Sequence, residues 1–179
     1  MNGLFTTAAW RAVAFMTVCI LAWAPAPPAA AQLVLPGATD LAASGRAIAD
    51  DGAPLVVLYS QEGCNWCDLA RTHLVPLSRD AKVGARFAQI DIDRGTPLLD
   101  FAGRQSTHRS FARDEGVRFT PMLVIYGPAG ERLTEPVAGM GAVDFYGHQV
   151  MQAIDEARAR LAARRMQSAA LLPAPASRR

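Results

Sequence analysis

Five consecutive apolar residues, Leu55-Val56-Val57-Leu58-Tyr59, constrain this chain more than any other stretch. A strand with one wet face alternates apolar and polar side chains. An unbroken run with β-branched members suits a strand covered on both faces. The neighbouring patterns agree. Arg86 to Asp93 alternates, with Phe87, Gln89 and Asp91 on one side and Ala88, Ile90 and Ile92 on the other. Met122 to Tyr126 reads as a third strand. Asp40 to Asp50 carries Leu41, Ala47 and Ile48 at helical spacing and stops at Gly52. Cys64 to Val75 reads as a helix that Pro76 ends or bends. Thr107 is placed to cap a helix running through Phe111 and Ala112 to Glu115, stopped by Gly116. Gly95 to Gly103 fits neither pattern. Gly127-Pro128-Ala129-Gly130 is a turn, after which Arg132 to Val137 pairs back as a hairpin. Asp144 to about Arg165 is a long helix with Val150, Ala153, Ile154, Ala157 and Leu161 on one side. Alternation of strand and helix up to Ile125 predicts parallel pairing with crossover helices, and the hairpin adds an antiparallel edge. The expected class is α/β, a mixed central sheet of about four strands with helices on both faces.

The first 31 residues stand apart from that domain. Arg11 precedes an apolar stretch, Ala12 to Ala24, which is followed by Pro25, Pro27, Pro28 and then Ala29-Ala30-Ala31. A basic front, a short apolar middle and small residues at the end make a cleavable secretory signal, with the cut placed after Ala31. The apolar part is well short of the ~20 residues of a spanning helix. The expected organisation is a signal peptide at 1–31, one domain at 32–166 and a disordered tail at 167–179. Export to the periplasm follows. A net charge of +2 makes no electrostatic case for nucleic acid.

Cleavage removes Cys19 and leaves two of the three cysteines, Cys64 and Cys67. A bridge closing so few residues removes little entropy from the unfolded chain, so the pair makes poor sense as a stability device. Its place matters more. Cys64-Asn65-Trp66-Cys67 opens a helix directly after the apolar strand. Helix-start amides favour a thiolate over a thiol, and the thiolate is the species that attacks disulfides. The spacing therefore reads as redox chemistry.

Val56 to Cys67 resembles the active-site strand, loop and helix of thioredoxin-fold oxidoreductases, and Gly116 to Val124 resembles their cis-proline segment. The resemblance covers roughly Leu41 to Arg164. It implies that Cys64 is the exposed nucleophile and Cys67 the more buried resolving thiol. Asn65 and Glu62 would tune the pair, and Trp66 would offer an apolar surface beside the sulfur. It also implies that Thr120 and a cis Pro121 face the dithiol, where the backbone of Thr120 would pair with an extended substrate. Thioredoxins themselves carry a buried acid six positions before the first cysteine; here that position is Leu58. Water, Glu62 and Asp68 are then the candidates to take the proton of Cys67. That departure, and the Thr before the proline, bring the chain closer to exported members of the isomerase and reductase types, including thioredoxins attached to sulfur-oxidation systems.

No His stands between the cysteines to make a strong oxidant, and the mature chain has no room for an added dimerisation domain. The reading is thus a monomeric periplasmic reductase, recharged by a membrane electron donor, that acts on protein disulfides. Its cofactor requirement is none beyond the redox-active disulfide, and no metal is expected. The rivals are a non-catalytic module that binds a partner or a metal, and a disulfide oxidase or isomerase. His73, His108 and His148 read as surface residues. Arg158, Arg160, Arg164 and Arg165 read as a solvated basic helix end. Phe87, Phe111, Phe119 and Tyr126 are expected in the core.

Overall fold

A computed structural model of the chain describes residues 33–171. The signal at 1–31 and residues 172–179 of the expected tail lie outside the described residues. The central strand is β1 (Leu55–Ser60), and all six of its residues are buried, as an unbroken apolar run requires. Ahead of it, α1 (Leu41–Asp51) starts at Asp40, whose side chain accepts from the amide of Ala43 at 2.7 Å. It ends at Gly52, whose φ of 79° few other residues adopt.

After β1 the chain enters α2 (Asn65–Arg79) and returns as β2 (Arg86–Asp91), parallel to β1. Ser60 lies beside Asp91 and Leu58 beside Gln89. Pro76 does not end α2, which runs on to Arg79. Pro76 and Thr72, the residue whose carbonyl loses its partner, are both exposed, so solvent replaces the missing bond.

The stretch that fitted no pattern is a small hairpin, β3 (Pro97–Leu99) with β4 (Gln105–Thr107), outside the main sheet. Asp100 builds its turn by accepting from the amides of Ala102 and Arg104, each at 2.9 Å, and from Arg104 Nε at 2.7 Å. Burial alone would raise its pKa, but these bonds outweigh burial and hold it below the usual carboxylate value. Thr107 then caps α3 (His108–Asp114) by accepting from the amide of Ser110.

β5 (Met122–Tyr126) runs antiparallel to β1, against the expected parallel pairing. The reason is where the chain has been left. His108 opens α3 in a hydrogen bond to Asp91, the last residue of β2. Seven helical residues span only ~10 Å, half the ~20 Å length of the sheet strands. After α3 the chain re-enters the sheet from that same end, and Met122 starts opposite Tyr59, where β1 finishes. The hairpin forms as expected in direction: Arg132 bridges Tyr126, and β6 (Val137–Ala138) pairs with Leu123 and Met122. The main sheet has the order β2-β1-β5-β6.

α4 (Val143–Ala170) buries Tyr146, Val150, Ile154, Ala157 and Leu161, a stripe at spacings of three and four. It packs against α2 and β5. The helix continues beyond residue 166 to Ala170, so the arginines are not at its end. They are not simply solvated either. Arg160 donates to the carbonyl of Leu133 at 2.5 Å, Arg164 pairs with Glu131 at 2.6 Å, and Arg165 donates to the carbonyls of Ile48 and Ala49. Phe87, Phe111 and Tyr126 are in the core, but Phe119 is half exposed, because it precedes β5 in a loop. Among the described residues no helix is long and apolar enough to cross a membrane.

Candidate active site

Gly63, at φ 69°, turns the chain from β1 into Cys64, which is the N-cap of α2. An N-cap residue has extended backbone and offers its side chain to the first free amides of the helix. Here the acceptor is sulfur: the amide of Cys67 points at Cys64 Sγ, 3.1 Å away. The carbonyl of Cys64 also accepts from Cys67 and Asp68, at 2.9 and 3.1 Å. Cys64 and Cys67 form a disulfide across one turn, with Cα atoms 5.2 Å apart. Cys67 is fully buried, whereas Cys64 is half-buried and Asn65 and Trp66 are exposed. The two sulfurs are thus unequal in access.

Thr120 comes in from the loop before β5, and its Oγ1 lies 3.5 Å from Cys64 Sγ. The Thr120–Pro121 bond is cis and Pro121 is buried. The carbonyl of Pro121 accepts from Gly139 at 2.9 Å. Among the described residues the amide and carbonyl of Thr120 make no backbone hydrogen bond. The exposed ring of Phe119 adjoins Thr120 as that of Trp66 adjoins Cys67, a placement that sequence reasoning missed. Its signal was its position two residues before the proline.

Glu62 is exposed and pairs with Arg94 at 3.2 Å, while its amide donates to Asp93 at 3.0 Å. Asp68 pairs with Arg71. Leu58 is fully buried. Among the described residues no carboxylate hydrogen-bonds either sulfur.

Arg71 was also missed. It lies two turns after Cys64 on the same helix face. Its side chain is only 16% exposed. It donates from Nε to Gln89 Oε1 at 2.9 Å and from Nη2 to Ser60 Oγ at 2.8 Å. Gln89 in turn donates to Asp91 Oδ1 at 2.7 Å. With Cys64, Arg71, Gln89 and Asp91 line a polar cavity of ≈ 330 Å³. A larger one of ≈ 470 Å³, beside Pro36 and Leu55, contains neither cysteine, and the chemistry assigns the site to the smaller.

The histidines do not join the site. His73 packs edge-on against Tyr146, and His148 is exposed. His108, expected at the surface, is buried: its Nδ1 accepts from the amide of Asp91 at 3.0 Å, so Nε2 carries the hydrogen and donates to the carbonyl of Ala38 at 2.8 Å. Among the described residues no three His, Cys, Asp or Glu side chains gather as a metal site would require.

A strand, an active-site helix opened by a two-cysteine turn, a parallel second strand and an antiparallel third strand behind a Thr-Pro loop are now all in place. The architecture is thioredoxin-like. No family model and no curated sequence matches the chain. Among solved structures it is similar to mitochondrial thioredoxin 3 from Saccharomyces cerevisiae, at 19% identity and a TM-score of 0.46, over 66% of this chain and 93% of that one. Thioredoxin O2 from Arabidopsis thaliana gives 20% and 0.43, over 62% and 83%. The Fasciola hepatica thioredoxin gives 16% and 0.44, over 66% and 97%. Likenesses this distant carry no statement about activity, which rests on the geometry of the site.

Proposed function

We propose that the protein is an exported thiol:disulfide oxidoreductase that reduces protein disulfides. The observation that carries this reading is the asymmetric disulfide at the start of α2: a half-exposed Cys64 under the amide of Cys67, joined to a fully buried Cys67. In the reduced protein that amide, with the partial positive charge of the helix start, favours the thiolate at Cys64. The thiolate attacks a substrate disulfide and releases one substrate sulfur, forming a mixed disulfide. Cys67 then attacks Cys64 Sγ, loses its proton and frees the second substrate sulfur, so two electrons pass to the substrate. With no carboxylate bonded to the sulfurs, water arriving beside Cys64 is the acceptor for that proton. Thr120 supports substrate pairing, because its amide and carbonyl are free to bond an extended chain. The exposed rings of Trp66 and Phe119 offer apolar contact to a protein substrate.

The N-terminal pattern at 1–31 supports a periplasmic location and, with it, a membrane donor to restore the dithiol; the protein would work as a monomer. Leu58 and Thr120 support a place among the exported reductases, the sulfur-oxidation-associated thioredoxins included.

The test is trapping. Cys67→Ala, expressed with residues 1–31, is expected to accumulate mixed disulfides through Cys64 in the periplasmic fraction, and Cys64→Ala none. More captured by Cys64→Ala would reverse the two roles. A wild-type protein inert towards insulin and small disulfides, yet taking up zinc or copper tightly, would replace the enzyme with a binding module.

A further inference from the structure

The cavity beside Cys64 excludes Trp66, Thr120 and Pro121 from its lining, so it lies apart from the surface assigned to a protein substrate. It is small, at ≈ 330 Å³, near the bottom of the range of ~300–1,000 Å³ found for small-molecule sites. Its lining is charged in both signs. Arg71 and Arg94 face it together with Glu62, Asp68 and Asp91. We propose that this cavity is a subsite for a zwitterionic low-molecular-weight disulfide of the amino-acid type, of which cystine is the simplest, and that the dithiol reduces it. The proposal rests on the oxidoreductase reading above and adds a second substrate class.

Three observations fix that chemistry. Arg71 is held ready: it is largely buried, and Gln89 and Ser60 orient its guanidinium from the sheet. Asp91 is equally fixed, through its side chain by Gln89 and through its amide by His108. Glu62 and Arg94, by contrast, meet in an exposed pair at 3.2 Å, with side chains 75% and 53% exposed. Such a pair is worth ~1 kcal/mol or less. It opens easily, and each member then has a partner of opposite sign on the ligand: the α-carboxylate for Arg94, the α-ammonium for Glu62. A ligand of one sign satisfies only one of the two and leaves the other opposed by a like charge.

The reaction is the same exchange. The Cys64 thiolate attacks one sulfur of R–S–S–R, the S–S bond breaks, and R–S⁻ leaves and is protonated. Cys67 gives up its proton, attacks Cys64 Sγ and expels the second R–S⁻. The protein dithiol is oxidised to the disulfide, and two RSH are formed.

The experiment compares four disulfides on the reduced full chain by rapid quench and mass spectrometry: cystine, cystamine (cationic), dithiodiglycolate (anionic) and hydroxyethyl disulfide (neutral). Each rate is divided by that of free dithiothreitol with the same disulfide, which removes leaving-group differences. The expected result is a normalised rate for cystine at least tenfold above the other three and saturating with concentration. In the double variant Glu62→Ala/Arg94→Ala, at exposed positions that leave the fold intact, the cystine rate falls at least tenfold further than the hydroxyethyl disulfide rate. Equal normalised rates, a preference for either singly charged disulfide, or an unchanged preference in the double variant would each overturn the subsite while leaving the oxidoreductase reading standing. Inertness towards all four would likewise overturn the subsite, and only inertness towards insulin besides would remove the oxidoreductase reading.

Discussion

The two faces of the central sheet place their polar groups differently. On the α3 side, Tyr126 donates to Glu115 Oε2 at 2.9 Å and so accepts from Tyr59, 2.6 Å away. Glu115 is closed by Arg132. Burial, above all, pushes both phenols well above the usual tyrosine range. His108 also bonds from this side with both nitrogens. The other face lies under α2, as the bond from Ser60 to Arg71 shows; Val56 and Leu58 share it by strand alternation. At its β2 edge Ser60, Arg71, Gln89 and Asp91 bond to one another, while the hydroxyl of Tyr146 from α4 is buried with no partner among the described residues. The tyrosine–Glu115 network thus lies across the sheet from the two sulfurs, whereas the Arg71 network shares a cavity with Cys64.

The strongest way to break that contrast is Leu58→Asp, which places a carboxyl at a fully buried position under α2. It is expected to cost at least about 4 kcal/mol in urea unfolding of the oxidised protein, from the lost leucine and the buried acid together. A loss below about 1 kcal/mol would mean that a polar group of the same face, such as Gln89 beside it, takes up the carboxyl. On the satisfied face, His108→Ala strands the amide of Asp91 and the carbonyl of Ala38 and should cost about 2–4 kcal/mol. Tyr126→Phe takes the acceptor from the hydroxyl of Tyr59 but leaves Glu115 its arginine, and about 1–3 kcal/mol is expected. Tyr146→Phe should be the mildest, within about 0.5 kcal/mol of neutral or stabilising, because the hydroxyl it removes has no bond to lose. Burial pushes the pKa of Tyr146 up to about 12, from 10. The unfolded chain therefore loses that proton first, and stability falls as pH rises from 10 towards 12. Tyr146→Phe should remove part of that alkaline loss; if the slope is unchanged, the phenol is not buried in solution.

Among the elements, the ones read most closely from the chain were those whose cause is local. Asp40 and Gly52 bracket α1, Thr107 caps α3, and the burial of Leu55 to Tyr59 in β1 follows from their unbroken apolar run. The cysteine pair at the start of α2 belongs to the same class. What was misjudged depended on distant neighbours. Pro76 is tolerated because its surroundings are solvent. Phe119 is exposed although hydrophobic, because a loop position faces outward whatever it carries. His108 is buried because two backbone groups, from Asp91 and from Ala38, need its ring. The β3–β4 hairpin is too short for periodicity to register, at three residues a strand.

The site divides in the same way. Cys64, Cys67, Trp66, Thr120 and Pro121 sit in two short motifs whose residue types announce their chemistry. Arg71, Gln89, Ser60 and Asp91 announce nothing singly, since each is common on a helix or a strand. What the chain settled by itself was the redox turn, the helix that caps it and the strand that supports it, because each needs only residues a few positions apart. The direction of β5, the charged cavity and the division of polar groups between the two faces were settled only in three dimensions. They depend on which residues, dozens of positions apart, come within hydrogen-bonding distance, and a linear pattern holds no such distance.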